Sequence, residues 1–289
     1  MKNSLTKVIQ HYKQRLKEAG IDSYKIDYLV LICAALNKTK EEIIFKADEI
    51  EINDDQLKII DDFFIRRISR EPVSHIIGNR EFYGLDFFVS EDVLDPRADS
   101  ETLVDEVIKI VKGRIDDTLN MLEIGVGSGC LAIAIAKNCP NIASIIGVDI
   151  SDKALRICAH NVVAHKMEDK IKLLKSDLFS SLNDKNKFDV IISNPPYIKS
   201  SEIAQLQSEV KDFEPLLALD GGEDGLDFYR EIASKAMNFL KISGFIALEI
   251  GYDQKDDVID IFNSHDFNLV TAKQDLYKND RVLIFSRSR

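Results

Sequence analysis

An apolar segment at residues 121–124 runs directly into a five-residue loop, 125–129, in which every second residue is glycine. Glycine lets the backbone turn sharply and approach a ligand closely. A helical pattern follows the loop, and the first N–H groups of a helix have no partner within it. Strand and helix patterns then alternate, which predicts an α/β fold with a doubly wound, mostly parallel sheet and the loop at its ligand-binding edge.

The alternation can be followed segment by segment through the second part of the chain. Apolar runs of strand length and amphipathic stretches of helix length take turns, separated by short connections. Strands are predicted at 121–124, 144–150, 171–174, 188–193 and 245–250, helices at 131–137, 152–167 and 226–240, and an edge hairpin at 268–271 and 281–285.

The first 80 residues have a helical pattern instead, with three apolar stripes that predict a small bundle. The stripes comprise Val8, Tyr12, Leu16 and Ile21, then Ile26, Leu29, Val30, Cys33 and Leu36, then Leu57, Ile60, Phe63 and Phe64. Asn53 or Asp54 can cap the third helix. We therefore expect a helical domain at 1–80, a β-hairpin linker at 81–96 and a catalytic domain at 97–289, which opens with a helix from Ser100 or Glu101 to Ile110.

Composition excludes several classes of function. None of the four cysteines forms a C-x-x-C pair and the five histidines are scattered, so no zinc or other metal site is expected and the thiols fit a reduced, cytoplasmic protein. The net charge of −11 disfavours a nucleic-acid substrate. No apolar run reaches the roughly 18 residues that span a bilayer.

The glycine loop indicates a nucleotide-like cofactor. A dinucleotide fingerprint requires Gly or Ala where this chain has Cys130, and no Gly-Lys-Ser/Thr follows, so the loop is not a P-loop. Asp149 ends the next strand, where a carboxylate can accept both hydroxyls of a ribose. With Glu123 before it, the loop resembles the S-adenosylmethionine loop of class I methyltransferases, and a tight turn without a ligand is the alternative.

The tetrapeptide Asn194-Pro195-Pro196-Tyr197 follows the strand at 188–193. Its prolines fix two φ angles and restrict Asn194, which gives a rigid turn at the carboxyl end of a strand. The Asn194 side-chain oxygen and the Pro195 carbonyl can hold the N–H groups of a planar nitrogen, and Tyr197 offers a flat face. Positioning would then do most of the chemistry. An ordinary proline turn that closes a strand is the alternative.

Taken together, these residues resemble the HemK/PrmC family of peptide-chain release factor glutamine N5-methyltransferases over nearly the whole chain. Further segments in family order carry the resemblance: 70–84, 93–101, 176–177, 213–215 and 218–230. It implies a class I methyltransferase fold, S-adenosyl-L-methionine as cofactor, and methyl transfer to the glutamine of a Gly-Gly-Gln motif.

The resemblance also implies roles for individual residues. The loop would hold the methionine part of the cofactor, Asp149 its ribose, and Asp177 with Leu178 its adenine. Asn194 would contact both cofactor and substrate, with Pro195, Pro196 and Tyr197 around the substrate. The full set of expected cofactor-binding residues is Glu123, Gly125, Val126, Gly127, Ser128, Gly129, Asp149, Ile150, Asp177, Leu178 and Asn194.

The chain departs from the family pattern at a few positions, because Asp95, Ala98 and Asp99 stand where Ile, Pro and Glu are frequent, and Leu178 where some members have Trp. The expected protein is a cytoplasmic monomer whose helical domain grips the release factor. Two other functions remain open at this point. One is an amino-methyltransferase acting on adenine or cytosine in nucleic acid, and the other is a cofactor-binding protein without activity.

Overall fold

A computed structural model describes residues 3–114, 117–183 and 185–288. The chain divides into two compact units. The first comprises Met1–Asn79 with Gln207–Phe213, and the second comprises Arg80–Leu206 with Glu214–Arg289. Segment 207–213, which lies within the range expected for the catalytic domain, thus groups with the helical unit.

The first unit is helical. Its helices are α1 (Leu5–Glu18), α2 (Tyr24–Leu36), α3 (Lys40–Lys46), α4 (Asp54–Ile68) and α5 (Val73–Ile77), and two short strands, β1 (Asn3–Ser4) and β2 (Glu51–Ile52), pair antiparallel. The predicted cap at Asn53 is confirmed: its side chain accepts a hydrogen bond from the Gln56 backbone, and the Gln56 side chain accepts one from the Asn53 N–H. This reciprocal pair satisfies two donors that the helix itself leaves free.

The core of this unit corrects the second predicted stripe. Ile26 is 67% exposed, whereas Leu31 and Ile32 are fully buried. The buried face of α2 includes Asp27, which the spacing of apolar residues does not predict. Asp27 is buried because it pairs with the equally buried Arg67 of α4 at 2.7 Å, and a buried carboxylate needs such a partner.

The second unit begins with the predicted hairpin, β3 (Arg80–Phe82) and β4 (Leu85–Phe87), and continues as an α/β sandwich. Its helices are α6 (Glu101–Lys112), α7 (Cys130–Asn138), α8 (Asp152–Ala164), α10 (Asp227–Ala236) and α11 (Lys255–Asn263), whereas α9 (Ser208–Lys211), which precedes α10 in the chain, groups with the helical unit. Its remaining strands are β5 (Leu119–Ile124), β6 (Ile142–Asp149), β7 (Ile171–Lys175), β8 (Phe188–Ser193), β9 (Leu240–Glu249), β10 (Phe267–Gln274) and β11 (Asp280–Arg287).

The main sheet has seven strands in the order β10-β11-β9-β8-β5-β6-β7. Strands β5 to β9 are parallel, and β11 pairs antiparallel both with β9 and with the edge strand β10, which confirms the mostly parallel sheet with an edge hairpin. From β5 the chain proceeds outward to β6 and β7, then returns to β8 on the other side. Strand order therefore reverses between β5 and β8, where open α/β sheets bind ligands at the carboxyl ends of the strands.

Two apolar clusters cover the two faces of this sheet. One contains side chains of α6 and α7, and the other contains side chains of α10 and α11, in which Phe262 of α11 packs on Phe267 of β10 and Phe285 of β11. Helix α11 was not predicted, because Asp256, Asp257 and Asp260 interrupt its short apolar pattern. Among the described residues, no helix combines the length and the apolar character that crossing a membrane requires.

Candidate active site

A cavity of about 240 Å³ lies at the switch point between β5 and β8. It is lined by the loop after β5, the end of β6, the turn after β7, the tetrapeptide after β8 and the segment before α6. Of the predicted site residues, twelve line it: Glu123, Gly125, Val126, Gly127, Ser128, Asp149, Ile150, Asp177, Leu178, Asn194, Pro195 and Pro196. Gly129 and Tyr197 do not line it: Gly129 lies against Cys158, and the Tyr197 hydroxyl contacts Glu249.

The glycine loop owes its shape to left-handed backbone conformations. Gly125, Gly127 and Gly129 have φ angles of +71°, +52° and +81°, a region that costs residues with a Cβ. Gly129 is the most constrained, because a Cβ there would lie 2.6 Å from Cys158 Sγ. It is also the N-cap of α7, so the glycine sets where the helix begins.

Asp149 links the loop to the end of β6. Its Oδ2 accepts a hydrogen bond from the Gly127 N–H at 3.0 Å, and its Oδ1 accepts one from the Ser151 N–H at 2.9 Å. A carboxylate has about four acceptor sites, so each oxygen retains one for a ligand hydroxyl. The side chain therefore both braces the loop and can receive a diol.

Glu123 is an unsatisfied acceptor in the cavity wall. It is 1% exposed, and its Oε2 has no hydrogen-bond partner within the described parts of the chain. Burial raises its pKa well above the ordinary value, and the Ala132 N–H opposes that rise. A buried polar atom without a partner is costly, and a ligand that brings an N–H donor would remove the cost. The site thus fits a cofactor with an amino group.

The turn after β7 supplies an apolar wall. Leu178 adopts a left-handed φ of +48°, which is rare for a residue with a Cβ. Ser176 stabilises this conformation by donating its hydroxyl proton to the Leu178 carbonyl at 2.8 Å. The strained backbone holds the leucine against the cavity, next to Asp177.

The tetrapeptide is held at its first residue by β5 and by the turn before α6. Ser193, the last residue of β8, donates to the Ile124 carbonyl at 2.8 Å, and Asn194 Nδ2 donates to Ser100 Oγ at 3.2 Å. Within the described residues, no hydrogen bond reaches Asn194 Oδ1 or the Pro195 carbonyl. Two oxygen acceptors are therefore left at the cavity, the pair that a planar N–H₂ group requires.

The segment 221–225 packs against the tetrapeptide. A Cβ on Gly225 would lie 2.5 Å from the Tyr197 carbonyl oxygen, and one on Gly221 would lie 2.8 Å from Tyr197 Cα. Gln254 joins the two segments, because its Nε2 donates to the carbonyls of Tyr197 at 2.9 Å and Gly225 at 3.1 Å. The segment thus supports the tetrapeptide through its backbone.

Tyr197 contacts the buried carboxyl group of Glu249 and does not line the cavity. Its hydroxyl donates to Glu249 Oε1 at 3.4 Å, and burial with the nearby carboxylate raises the pKa of Tyr197. Glu249 ends β9 and is 1% exposed. The sequence signal was an acid at the end of an apolar strand, which by itself does not distinguish a structural role from a functional one.

Arg97 and Glu214 form an ion pair at the cavity that the spacing of motifs did not reveal. Arg97 Nη2 lies 2.6 and 2.7 Å from the two carboxylate oxygens. Burial raises the pKa of Glu214 to about 7, against the opposing charge of Arg97. The pair fixes the residues that follow, among which Pro215, Leu217 and Ala218 line the cavity.

The described residues contain no cluster of three His, Cys, Asp or Glu side chains that could hold a metal ion. Cys130 lines the cavity, but burial raises the pKa of its thiol to about 12. A thiol with this pKa is protonated at neutral pH and is not a nucleophile.

Comparison with known proteins identifies both parts of the chain. Residues 7–78 match the family described as PrmC N-terminal domain, and residues 90–212 match the family described as methyltransferase small domain. Two curated relatives named release factor glutamine methyltransferase are 38% identical: that of Agrobacterium fabrum over 95% of this chain and 94% of its own, and that of Caulobacter vibrioides over 97% and 96%. A bifunctional methyltransferase of Rickettsia typhi is 36% identical over 99% of this chain, which spans 58% of that longer protein.

Solved structures agree on the fold. A methyltransferase from Pyrococcus furiosus aligns with a TM-score of 0.54 at 18% identity, over 79% of this chain and all of its own. Methanocaldococcus jannaschii Trm5 in complex with adenosine aligns with a TM-score of 0.51 at 18% identity, over 73% of this chain and 56% of its own. With the predicted α/β fold confirmed and relatives at 38% identity matching almost from end to end, the chain belongs to the release factor glutamine methyltransferase family.

Proposed function

We propose that this protein transfers a methyl group from S-adenosyl-L-methionine to the side-chain amide nitrogen, N5, of the glutamine in the Gly-Gly-Gln motif of peptide chain release factors. The observation that carries the proposal is Asn194, whose Oδ1 lies free beside the Pro195 carbonyl in a cavity shared with the glycine loop. The two relatives that match this chain almost from end to end are named release factor glutamine methyltransferase, which supports the same substrate.

The cofactor, when bound, supplies an electrophilic methyl group on its sulfur. The chain offers groups that match its parts: Asp149 can take the ribose hydroxyls, the Glu123 carboxylate can take the amino group, and Leu178 can contact the adenine. The orphaned Glu123 Oε2 is the strongest sign of fit, because it lacks a donor that such a ligand brings.

The residues of the chain act by orientation. An amide nitrogen is planar and a poor nucleophile, so holding it in line with the methyl group is the main task. Asn194 Oδ1 and the Pro195 carbonyl accept its two N–H groups and fix its plane. Pro195 and Pro196 keep these acceptors rigid, and Tyr197 holds the turn through Glu249 and Gln254.

The helical domain, residues 1–80, is proposed to grip the release factor, with 81–96 as linker and 97–289 as the catalytic domain. A monomer in the cytoplasm suits an enzyme whose partner is a soluble translation protein. The exposed Phe45 and Ile44 of α3 offer apolar surface for that contact.

One labelling experiment tests the proposal. The purified chain is incubated with radiolabelled cofactor and, in separate reactions, with a release factor, duplex DNA or ribosomal RNA. Label is expected in the release factor alone and is lost when the glutamine of its Gly-Gly-Gln motif is changed to alanine. Label in nucleic acid and none in the release factor would replace this proposal with an amino-methyltransferase acting on adenine or cytosine.

A further inference from the structure

Ser100 lies in the cavity, but the family resemblance assigns it no role. It is 3% exposed, it lines the cavity, and its hydroxyl accepts a hydrogen bond from Asn194 Nδ2 at 3.2 Å. Although Ser100 stands at the N-cap of α6, its side chain makes no capping hydrogen bond. The hydroxyl therefore does not cap the start of α6, and its hydrogen bond with Asn194 belongs to the site.

The chemistry of a hydroxyl sets the direction of this contact. A serine hydroxyl has one proton to donate and two lone pairs to accept with. The other polar neighbour of Ser100 is the buried Glu249, which hydrogen bonding from Ser100 favours in its ionised form. Glu249 Oε2 has no partner at ordinary hydrogen-bond length among the described residues, so it is an unsatisfied acceptor for that proton. We therefore assign the proton to the side of the carboxylate, which leaves the lone pairs to accept from Asn194.

We infer that Ser100 is a positioning residue: its hydroxyl, polarised by Glu249, fixes the side-chain amide of Asn194 with Nδ2 turned inward and Oδ1 turned toward the substrate. An asparagine amide can rotate by half a turn with little change in shape, which would present a donor to the substrate N–H₂ group. Only the orientation set by Ser100 presents an acceptor. This assignment rests on the proposed transfer to an N–H₂ group. Since Ser100 acts on the acceptor for that group, its loss should lower the rate of methyl transfer and leave the affinity for the cofactor unchanged.

The protonation state of Glu249 controls this relay. Burial raises the pKa of Glu249 to about 7, and hydrogen bonding from Ser100 and the charge of Arg281 oppose the rise. The groups that face it are Asp99 and Ser100 before α6, Cys130 of α7, Tyr197 after β8, Tyr229 of α10 and Arg281 of β11. A protonated Glu249 can donate to Ser100, whose own proton can then turn to Asn194 and favour the wrong amide orientation. Activity is therefore expected to fall as pH drops through about 7.

The test compares Ser100→Ala with Ser100→Thr, which keeps the hydroxyl, in the full chain with a release factor as substrate. The alanine variant should lower kcat about tenfold, the size of effect expected from the free energy of one hydrogen bond. KM and the cofactor Kd should change less than about twofold. The threonine variant should recover kcat to within about threefold of the wild type. Unchanged thermal unfolding and cofactor binding verify that each variant is folded.

A matched control is available at the amino ends of the strands, on the side of the sheet away from the cavity. Ser144 of β6 also forms a hydrogen bond with an asparagine, here by donating to Asn120 Oδ1 at 2.8 Å, and both lie near the amino ends of their strands. Ser144→Ala removes a similar bond far from the cavity and should leave kcat and its pH profile unchanged. Glu249→Gln should lower kcat and abolish its decline below pH 7, because glutamine does not titrate.

The outcomes separate this inference from the proposed function. If the wild type labels release factor but Ser100→Ala retains a kcat within about twofold and the same pH profile, the positioning role is wrong and the proposed function stands. If the wild type labels a nucleobase amine instead, the proposed substrate is wrong, and the same variants are compared on that amine, which also presents an N–H₂ group to Asn194. A tenfold loss that threonine does not rescue would likewise overturn the inference.

Discussion

The loop 125–129 and the tetrapeptide 194–197 follow neighbouring strands of one sheet, yet their shapes have different origins. The loop is shaped from within, by three glycines with positive φ angles. The tetrapeptide has two prolines of its own, but its position depends on distant segments: 221–225 and Gln254 behind it, and Ser100 beside its asparagine. A locally encoded loop thus lies next to a turn that needs the rest of the domain.

This difference predicts that cofactor binding and methyl transfer are separable. Changes within the loop should act on the cofactor affinity, because the loop and Asp149 form one hydrogen-bonded unit. Changes to the supports of the tetrapeptide should act on kcat, because they move acceptors by fractions of an ångström without touching the loop. Each of the following variants is a test of that separation.

The largest effect is expected for Asn194→Ala, which removes the free Oδ1 acceptor. Loss of precise positioning should lower kcat by about 100-fold, while the cofactor Kd changes by less than about threefold. Steady-state kinetics with a release factor and equilibrium binding of the cofactor measure the two quantities. Asn120→Ala, at the amino end of β5, is the control and should leave both unchanged. Equal losses in kcat and in affinity would mean that Asn194 serves the cofactor alone.

Gly129→Ala should be the most damaging change in the loop. A left-handed conformation costs a residue with a Cβ about 1–2 kcal/mol, and the contact with Cys158 Sγ at 2.6 Å adds to this. We expect cofactor affinity to fall by about 10- to 30-fold and kcat at saturating cofactor to change little. Cys158→Ala in the same chain should relieve the contact and leave only the backbone cost, as a double-mutant cycle would reveal. A larger loss in kcat than in affinity would contradict the separation.

Gly225→Ala makes the same kind of change on the other side of the comparison. Its φ is +78°, and a Cβ would press on the Tyr197 carbonyl oxygen and on Gln254 Nε2, 2.5 and 2.7 Å away. Displacement of the tetrapeptide should lower kcat about tenfold, with the cofactor Kd unchanged. Gly84→Ala is the matched control, because Gly84 has a similar φ of +71° but open space where the Cβ would lie. If both variants lose kcat alike, backbone strain and not contact with Tyr197 is the cause.

The same contrast explains what the sequence could predict. The alternation of strands and helices, the glycine loop at the end of a strand and a hairpin within the linker predicted at 81–96 follow from local patterns. The fold contains all three, with the hairpin at 80–87. The supports of the tetrapeptide could not be predicted in this way, because Ser100, Gly225, Gln254 and Glu249 meet it only through tertiary packing. The helical unit gives a second example: Ile26 is exposed because the buried Asp27–Arg67 pair, formed between α2 and α4, determines which face of α2 is buried.

The smallest expected effect is a gain. Leu178→Trp places an aromatic ring where we assign the adenine, and stacking on a base contributes about 1–3 kcal/mol, the lower end of which corresponds to about fivefold tighter binding. Both leucine and tryptophan have a Cβ, so the left-handed φ of +48° that Ser176 stabilises strains the backbone in both. Backbone strain therefore does not offset the gain. Cofactor affinity should rise while kcat stays unchanged, because the tetrapeptide is not touched. Leu276→Trp, at a side chain that is 99% exposed, controls for nonspecific binding by an added indole. Because the gain requires only a planar ring against the Leu178 wall, adenosine alone should show the same increase, and its absence there would place the adenine elsewhere in the cavity.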